Sequence, residues 1–293
     1  MSSLDVDPRS VATIARKDLQ DAARSRVLWL LTGLFVIFLG GAAFLFVYLE
    51  DLFAQEGEEV AAVSLILLLE QPVAWLLPLL GLLVGYKSLA GEVDTGSVKI
   101  LLSLPHSRLD AVLGKFVGRT LVLWASLFAG LAVALVVIVA FYDEFHLWDF
   151  LVFSGLSMLF GAVFVALGVG ISAMTTSTTR AAVGIVGLFV FLIFVFDTIR
   201  VGLHYLLEGT PWPDLGAQPP EWFVFYPRLN PMGAYDAALM SLLPDVVPQA
   251  VAQYYPSADA PFYLSGWFAV VILLVWLAVP LVVGYLRFEG HDL

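Results

Sequence analysis

The side chains in this sequence that could do chemistry fall in three places. Glu70 and Gln71 stand inside a long apolar run, with Pro72 after them and Pro78 beyond. A proline deletes a helix hydrogen bond, and an ionisable group at membrane depth is costly and seldom faces lipid. The pair therefore either braces a neighbouring helix or lines a pathway. Asp197, Arg200 and His204 recur at steps of three and four. That spacing sets them on one helix face, where Asp197 and Arg200 can pair. An interfacial ion pair and a proton relay both fit, while one histidine is no metal-ligand set. The third place, Tyr86 to Lys115, gathers Glu92, Asp94 and Lys99 among Gly91, Gly96, Ser97 and Pro105.

Other chemistries find no residues to carry them. The phosphate-binding pattern G-x-x-x-x-G-K-[ST] fails, because Gly114-Lys115 is followed by Phe116. Neither the H-E-x-x-H zinc pattern nor the G-x-S-x-G nucleophile elbow occurs. The chain has four histidines and no cysteine, so disulfides and thiolate sites are excluded. No catalytic residue, cofactor or metal is expected, and transport, structural or signalling roles are left.

The elements that must position these residues are apolar helices. The composition is 60% hydrophobic and 13% charged, with mean hydropathy +0.92, against about 25% charged in soluble domains. Crossing a bilayer takes about 20 apolar residues. Six runs qualify: Val27–Leu49, Ala61–Tyr86, Phe116–Tyr142, Phe150–Met174, Ala181–Leu203 and Leu264–Leu286. The polar first twenty-six residues and the length of the first run leave no cleavable signal peptide in view. With the N-terminus in the cytoplasm, twelve basic residues lie inside: Arg9, Arg16, Lys17, Arg24, Arg26, Lys87, Lys99, Arg108, Lys115, Arg119, Arg180 and Arg287. Arg200 and Arg228 alone fall on the far side, among acidic loops. Lys and Arg resist translocation, so both termini are expected in the cytoplasm. The net charge of −11 argues against a nucleic-acid partner. Low lysine with high aspartate is a salt-adapted style that points to a halophilic source.

Local signals fill in the connections. Val11 to Arg26 alternates apolar and basic positions at helical spacing, predicting an amphipathic helix on the inner surface, as a membrane anchor or a partner contact. In the loop after the second span, Ser97 is a plausible cap for a short helix Val98–Leu104 ended by Pro105. Ser107-Arg-Leu-Asp110 reads as a capping box with Asp in the Glu position, opening the third span. Residues 206–263 form an outer segment whose prolines prevent one continuous helix, although Asn230 to Met240 suits a short one with Pro231 in its first turn. Its aromatics, Trp212, Trp222, Phe223 and Tyr226 among them, suit the interface zone, so the segment is expected to cap the bundle and dip partly into the membrane. Gly161, Gly168, Gly170, Gly184 and Gly187 allow close helix approach.

Three stretches carry a resemblance. They are Ile14-Ala-Arg-Lys-Asp-Leu-Gln-Asp-Ala-Ala-Arg-Ser-Arg26 running into a span, Gly91-Glu-Val-Asp-Thr-Gly-Ser-Val-Lys-Ile-Leu-Leu-Ser-Leu-Pro105 followed by Ser107-Arg and Gly114-Lys115, and Leu229-Asn-Pro231 before the last span. Together they resemble the ABC-2 type permeases, which have the type V exporter fold, and in particular the branch containing the membrane subunit of the nitrous-oxide-reductase maturation transporter. The resemblance spans essentially the whole chain. It implies an all-α integral membrane protein, one permease domain over 1–293. Its parts are an amphipathic elbow at 1–26, six transmembrane helices, a helical cytoplasmic coupling loop at 86–115 and a partly re-entrant outer segment. It further implies a homodimer or heterodimer of permeases in the bilayer, each docking a separate ATP-binding-cassette ATPase and exporting a substrate across the cytoplasmic membrane. Glu92, Asp94, Gly96, Ser97 and Lys99 would be the ATPase-coupling contact. An ion-gradient transporter using Glu70 or Asp197, or a membrane-embedded assembly factor without an ATPase, are the rival expectations.

Overall fold

The computed structural model describes residues 6–46, 58–96, 107–141, 146–214, 219–243 and 261–291, with the backbone alone at 58–64. Helix α1 (Pro8–Ala23) starts on Asp7, whose carboxylate accepts the amides of Arg9 and Ser10, with proline in the first turn. The expected start, Val11, missed this cap. Six helices long and apolar enough to cross a membrane follow, bearing out the expected number: α2 (Arg26–Phe46), α3 (Glu58–Gly85), α5 (Arg108–Phe141), α6 (Leu147–Ala173), α7 (Thr178–Glu208) and α10 (Gly266–Glu289). Short helices α4 (Ala90–Asp94), α8 (Glu221–Phe225) and α9 (Pro231–Leu242) fill the connections. Among the described residues the chain is all-α.

Local chemistry explains several boundaries. The third span begins eight residues earlier than hydropathy indicates, because Ser107 and Asp110 form the anticipated capping box. The Ser107 amide donates to Asp110 Oδ2 at 2.9 Å, and the Asp110 amide donates to Ser107 Oγ at 3.0 Å. Helix α3 runs on through Pro72 and Pro78, which does not require a break where neighbours re-satisfy the backbone. Helices α2 and α7 each carry a π turn, at Val36–Gly40 and Phe191–Val195. The short helix expected at Val98–Leu104 lies outside the described residues.

Helix α6 is the centre of the bundle, with 67% of its apolar stretch buried. It packs against α3 and α10. Glycine makes the contact possible: a Cβ on Gly85 would sit 2.8 Å from Gly168 Cα, and one on Gly284 would sit 2.9 Å from Gly170 Cα. Lipid tails are as apolar as leucine, so such close backbone approach drives association in a bilayer. Gly161 is tight as expected, against Leu123 and Leu77, and Gly184 touches Ile171, whereas Gly187 faces open space. The opposite extreme is α7, with 11% of its apolar stretch buried.

The amphipathic N-terminal helix forms, and its buried stripe of Ser10, Ile14, Ala15 and Asp18 lies along the start of α5. Gly114 and Gly118 of α5 receive it: a Cβ at either would meet Ile14 or Asp18 at 2.7 Å. Arg16, Lys17 and Arg24 stay exposed.

Candidate functional site

The start of α5 gathers five tertiary ties within twelve residues. Arg108 donates through Nη1 to the carbonyls of Phe288, Glu289 and His291 at 2.5, 2.7 and 2.9 Å, closing the C-terminal end of α10. Its guanidinium also lies over the Phe288 ring, 5.6 Å from the centroid. Asp110, besides capping its own helix, accepts the Asp7 amide at 3.0 Å and so fixes where α1 begins. One and two turns on, Lys115 and Arg119 both reach Asp18 of α1, each at 2.9 Å. Lys115 also pairs with Glu92 of α4 at 2.5 Å.

Lys115 is 4% exposed and Asp18 5%. Charges this far from water are stabilised only when paired and hydrogen-bonded, and removing one partner strands the other. The knot Asp18–Lys115–Glu92, with Arg119 beside it, therefore ties three elements into one body: α1, α4 and α5. Helix α4 has further anchors. The Leu89 and Ala90 amides both donate to Ser172 Oγ of α6 at 3.0 Å, and Thr178 of α7 donates to Asp94 at 2.6 Å. A five-residue helix has little stability of its own; here it is held by three helices, α5, α6 and α7.

Of the five residues singled out in this loop, three are described. Glu92 points inward to Lys115, Asp94 is exposed and bound to Thr178, and Gly96 is exposed with φ +74°, a left-handed conformation that only glycine adopts without strain. Ser97 and Lys99 lie outside the described residues. The knot residues Asp18, Lys115 and Arg119, and the cap Arg108, were given no site role from sequence, although Asp18, Arg108 and Lys115 stand in the stretches that carry the resemblance. Asp18 did leave a signal, since it stands four residues after Ile14 and eight after Ser10 on the apolar stripe.

The other polar residues singled out lie away from this knot. Glu70 is 8% exposed while Gln71 is exposed; Gln71 Nε2 donates to Glu70 at 3.3 Å, and Asp236 of α9 acts electrostatically on the same carboxylate. At the end of the bundle away from the knot, Arg200 pairs with Asp197 at 2.7 Å, as the spacing predicts. Arg200 also lies over the Phe223 and Trp212 rings, at 4.5 and 5.7 Å. His204 Nδ1 is 2.7 Å from the Thr210 carbonyl, and its ring packs on Phe223. No group of three or more His, Asp or Glu able to hold a metal ion occurs among the described residues.

Helix α9 lies against α6 and α10, buried on more sides than an amphipathic helix would be. Tyr235 stacks on Phe160 at 4.4 Å and shares a hydrogen bond of 2.9 Å with Ser157. Asn230 does two jobs at its start. Its Oδ1 accepts the Met232 amide at 3.0 Å, and its Nδ2 donates at 2.7 Å to Leu192 O inside the π turn of α7. Leu229 O accepts from Trp276 Nε1 at 2.8 Å. The Leu229-Asn-Pro231 stretch is thus the joint between α9, α7 and α10.

A bundle of six apolar helices with a small polar helix clamped at one end is the setting in which the comparisons are informative. The family model described as ABC-2 family transporter protein matches residues 12–293. A protein named as a probable ABC transporter permease protein NosY, from Pseudomonas aeruginosa, is 30% identical over 97% of this chain and 97% of its own length. Its namesake from Stutzerimonas stutzeri is 29% identical over 95% of this chain and 98% of its own. Neither organism lends support to the halophilic source expected from composition. With the match running over nearly the whole sequence, the chain belongs to the ABC-2 family of transporter proteins and is the multi-pass membrane subunit of an ABC transporter.

Proposed function

We propose that this permease couples ATP hydrolysis on a separate ATPase subunit to export of a substrate across the cytoplasmic membrane. In this reading the α4 end faces the cytoplasm with both termini, and residues 206–263 cap the far side and dip partly into the membrane. The whole chain acts as one permease domain, 1–293, in a dimer. The observation that carries it is the Asp18–Lys115–Glu92 knot. A helix that only anchored the chain, or a passive loop, would need no buried ion pairs to its neighbours, because these cost desolvation. A segment that must pass force from an attached motor needs a stiff joint to the spans.

The division of labour follows from exposure. Asp94 and Gly96 form the exposed tip of α4 and, with Ser97 and Lys99, meet the ATPase; Glu92 passes the displacement inward to Lys115. From there α5 and α1 move together, and α6 follows through Ser172. The sparse burial of α7 supports a partner permease at its flank. Co-purification with the partner ATPase tests the contact: Asp94→Lys and Lys99→Glu should each weaken binding and lower permease-stimulated ATP hydrolysis. Unchanged binding and hydrolysis in both would overturn the assignment, as would transport that survives ATP depletion and stops when the proton gradient is collapsed.

A further inference from the structure

The cations at the knot end divide into two sets. Arg108, Lys115 and Arg119 of α5 are engaged with carbonyls or carboxylates of neighbouring helices. Arg9, Arg16, Lys17 and Arg24 of the N-terminal segment, with Arg26 at the start of α2, are exposed and form no ion pair among the described residues. We propose that the turn between α1 and α2, with Lys17, Arg24 and Arg26 around it, docks the headgroup of an acidic phospholipid. The proposed orientation of the chain decides only which leaflet supplies the lipid.

The charge at this turn is in excess. At about 100° per residue, Arg9, Arg16, Lys17 and Arg24 fall within one arc of about 100°. That arc lies roughly opposite Ile14, Ala15 and Asp18, which α5 covers. Asp21, at the edge of the arc, is the one exposed carboxylate of α1. Several cations therefore face outward against a single acid, and an anionic membrane surface attracts such a cluster.

Depth places the turn at the headgroups. The N-terminal segment runs in the same direction as α5: Asp7 meets Asp110, and Asp18 meets Lys115 and Arg119. Further on, Thr32 donates to Ser126 Oγ at 3.1 Å, and Phe35 lies on Gly130. Arg119 is the last charged residue of α5. From Thr120 to Phe141 the helix spans about 33 Å, close to a hydrocarbon layer of about 30 Å. Arg24 and Ser25 lie between the levels of Arg119 and Ser126, at the edge of that layer. Just beyond them Val27, Trp29 and Leu30 are exposed, Trp29 by 71%, as lipid-facing positions are. A tryptophan one turn inside a cluster of cations suits the interface zone.

The test uses the full chain in vesicles of phosphatidylcholine and phosphatidylglycerol, with brominated chains on one lipid or the other. Bromine quenches a nearby indole, and the part of the signal lost in Trp29→Phe reports Trp29. Wild type should prefer phosphatidylglycerol at Trp29 by at least about fivefold, the effect of one cation near an acidic surface. High salt should weaken the preference. Arg24→Gln with Arg26→Gln should bring it close to unity, while Arg9, Arg16 and Lys17 remain to hold the topology. Asp21→Asn should raise it, a gain that misfolding does not produce. Lys87→Gln, on the exposed turn after α3, should leave it unchanged. Equal quenching by both lipids in wild type, a preference that survives the double change, or the same loss in Lys87→Gln overturns the proposal. No ATPase is present, so failure here leaves the coupling reading intact, and loss of coupling leaves this site intact.

Discussion

The two ends of the bundle use charge in opposite ways. At the α4 end, Lys115 and Arg119 are tied to Asp18, and Lys115 also to Glu92, so that the charges fasten helices to one another. At the far end, Arg200 and Arg228 are held by aromatic rings, a carbonyl and one half-exposed aspartate, and they line a cavity. One end is built to keep three elements rigid. The other keeps cations oriented around a space. The same residue types thus tie separate helices together at one end, through Asp18 and Glu92, and at the other pair within one helix, Arg200 with Asp197, beside aromatic walls.

Removing the centre of the knot should have the largest effect. Lys115→Met leaves the buried Asp18 with Arg119 alone and the half-buried Glu92 without its cation, and should cost about 3 kcal/mol, with a lowered melting temperature in detergent. Loss of less than the value for any far-end variant would break the contrast between the ends. Next comes the cap. Asn230→Ala removes both the α9 cap and the donor to Leu192 O, costing about 2 kcal/mol. Because that joint lies remote from α4, melting should fall while ATPase stimulation is retained. Arg108→Gln, which loses the charge-assisted closure of α10, should cost about 1.5 kcal/mol and speed amide exchange in the last turn of α10.

The smallest effect concerns pH. The Ser10 hydroxyl and the amides of Arg9 and Ser10 hold the Asp7 carboxyl below the usual carboxylate range. Its stabilisation of α1 is therefore complete above an unfolded carboxylate value of about 4 and is lost as pH falls through the lowered folded value. Asp7→Asn keeps a good cap and should remove this acid dependence. Amide exchange at Ser10 and Val11 between pH 3 and 6 reads it, and an acid response that persists in the variant would place the titrating group elsewhere.

What could be read from sequence divides along the same lines. Hydropathy and cationic bias identified six spans because lipid imposes a long apolar run on each. The Ser107–Asp110 box was legible because both partners lie within one turn, and Asp197–Arg200 for the same reason. Asp18–Lys115 was not, since 97 residues separate the two and only the packing of α1 on Gly114 and Gly118 brings them together. Asp18 stands four residues after Ile14, so its spacing places it on the buried stripe although its charge sets it apart from the apolar positions there. His204 was grouped with Asp197 and Arg200 by periodicity, while the turn after α7 supplied a nearer acceptor, Thr210.

The central claim is that Glu92 and Lys115 act as one joint between ATPase and spans. A double-mutant cycle on permease-stimulated ATP hydrolysis, with wild type, Glu92→Gln, Lys115→Met and the double variant co-purified with the ATPase in nanodiscs, tests it most directly. Each single change should lower stimulation at least about fivefold, the lower bound for a coupling of about 1 kcal/mol, and the double should be no worse than the worse single. Stimulation unchanged by either substitution, or losses that simply multiply in the double, would contradict a shared joint.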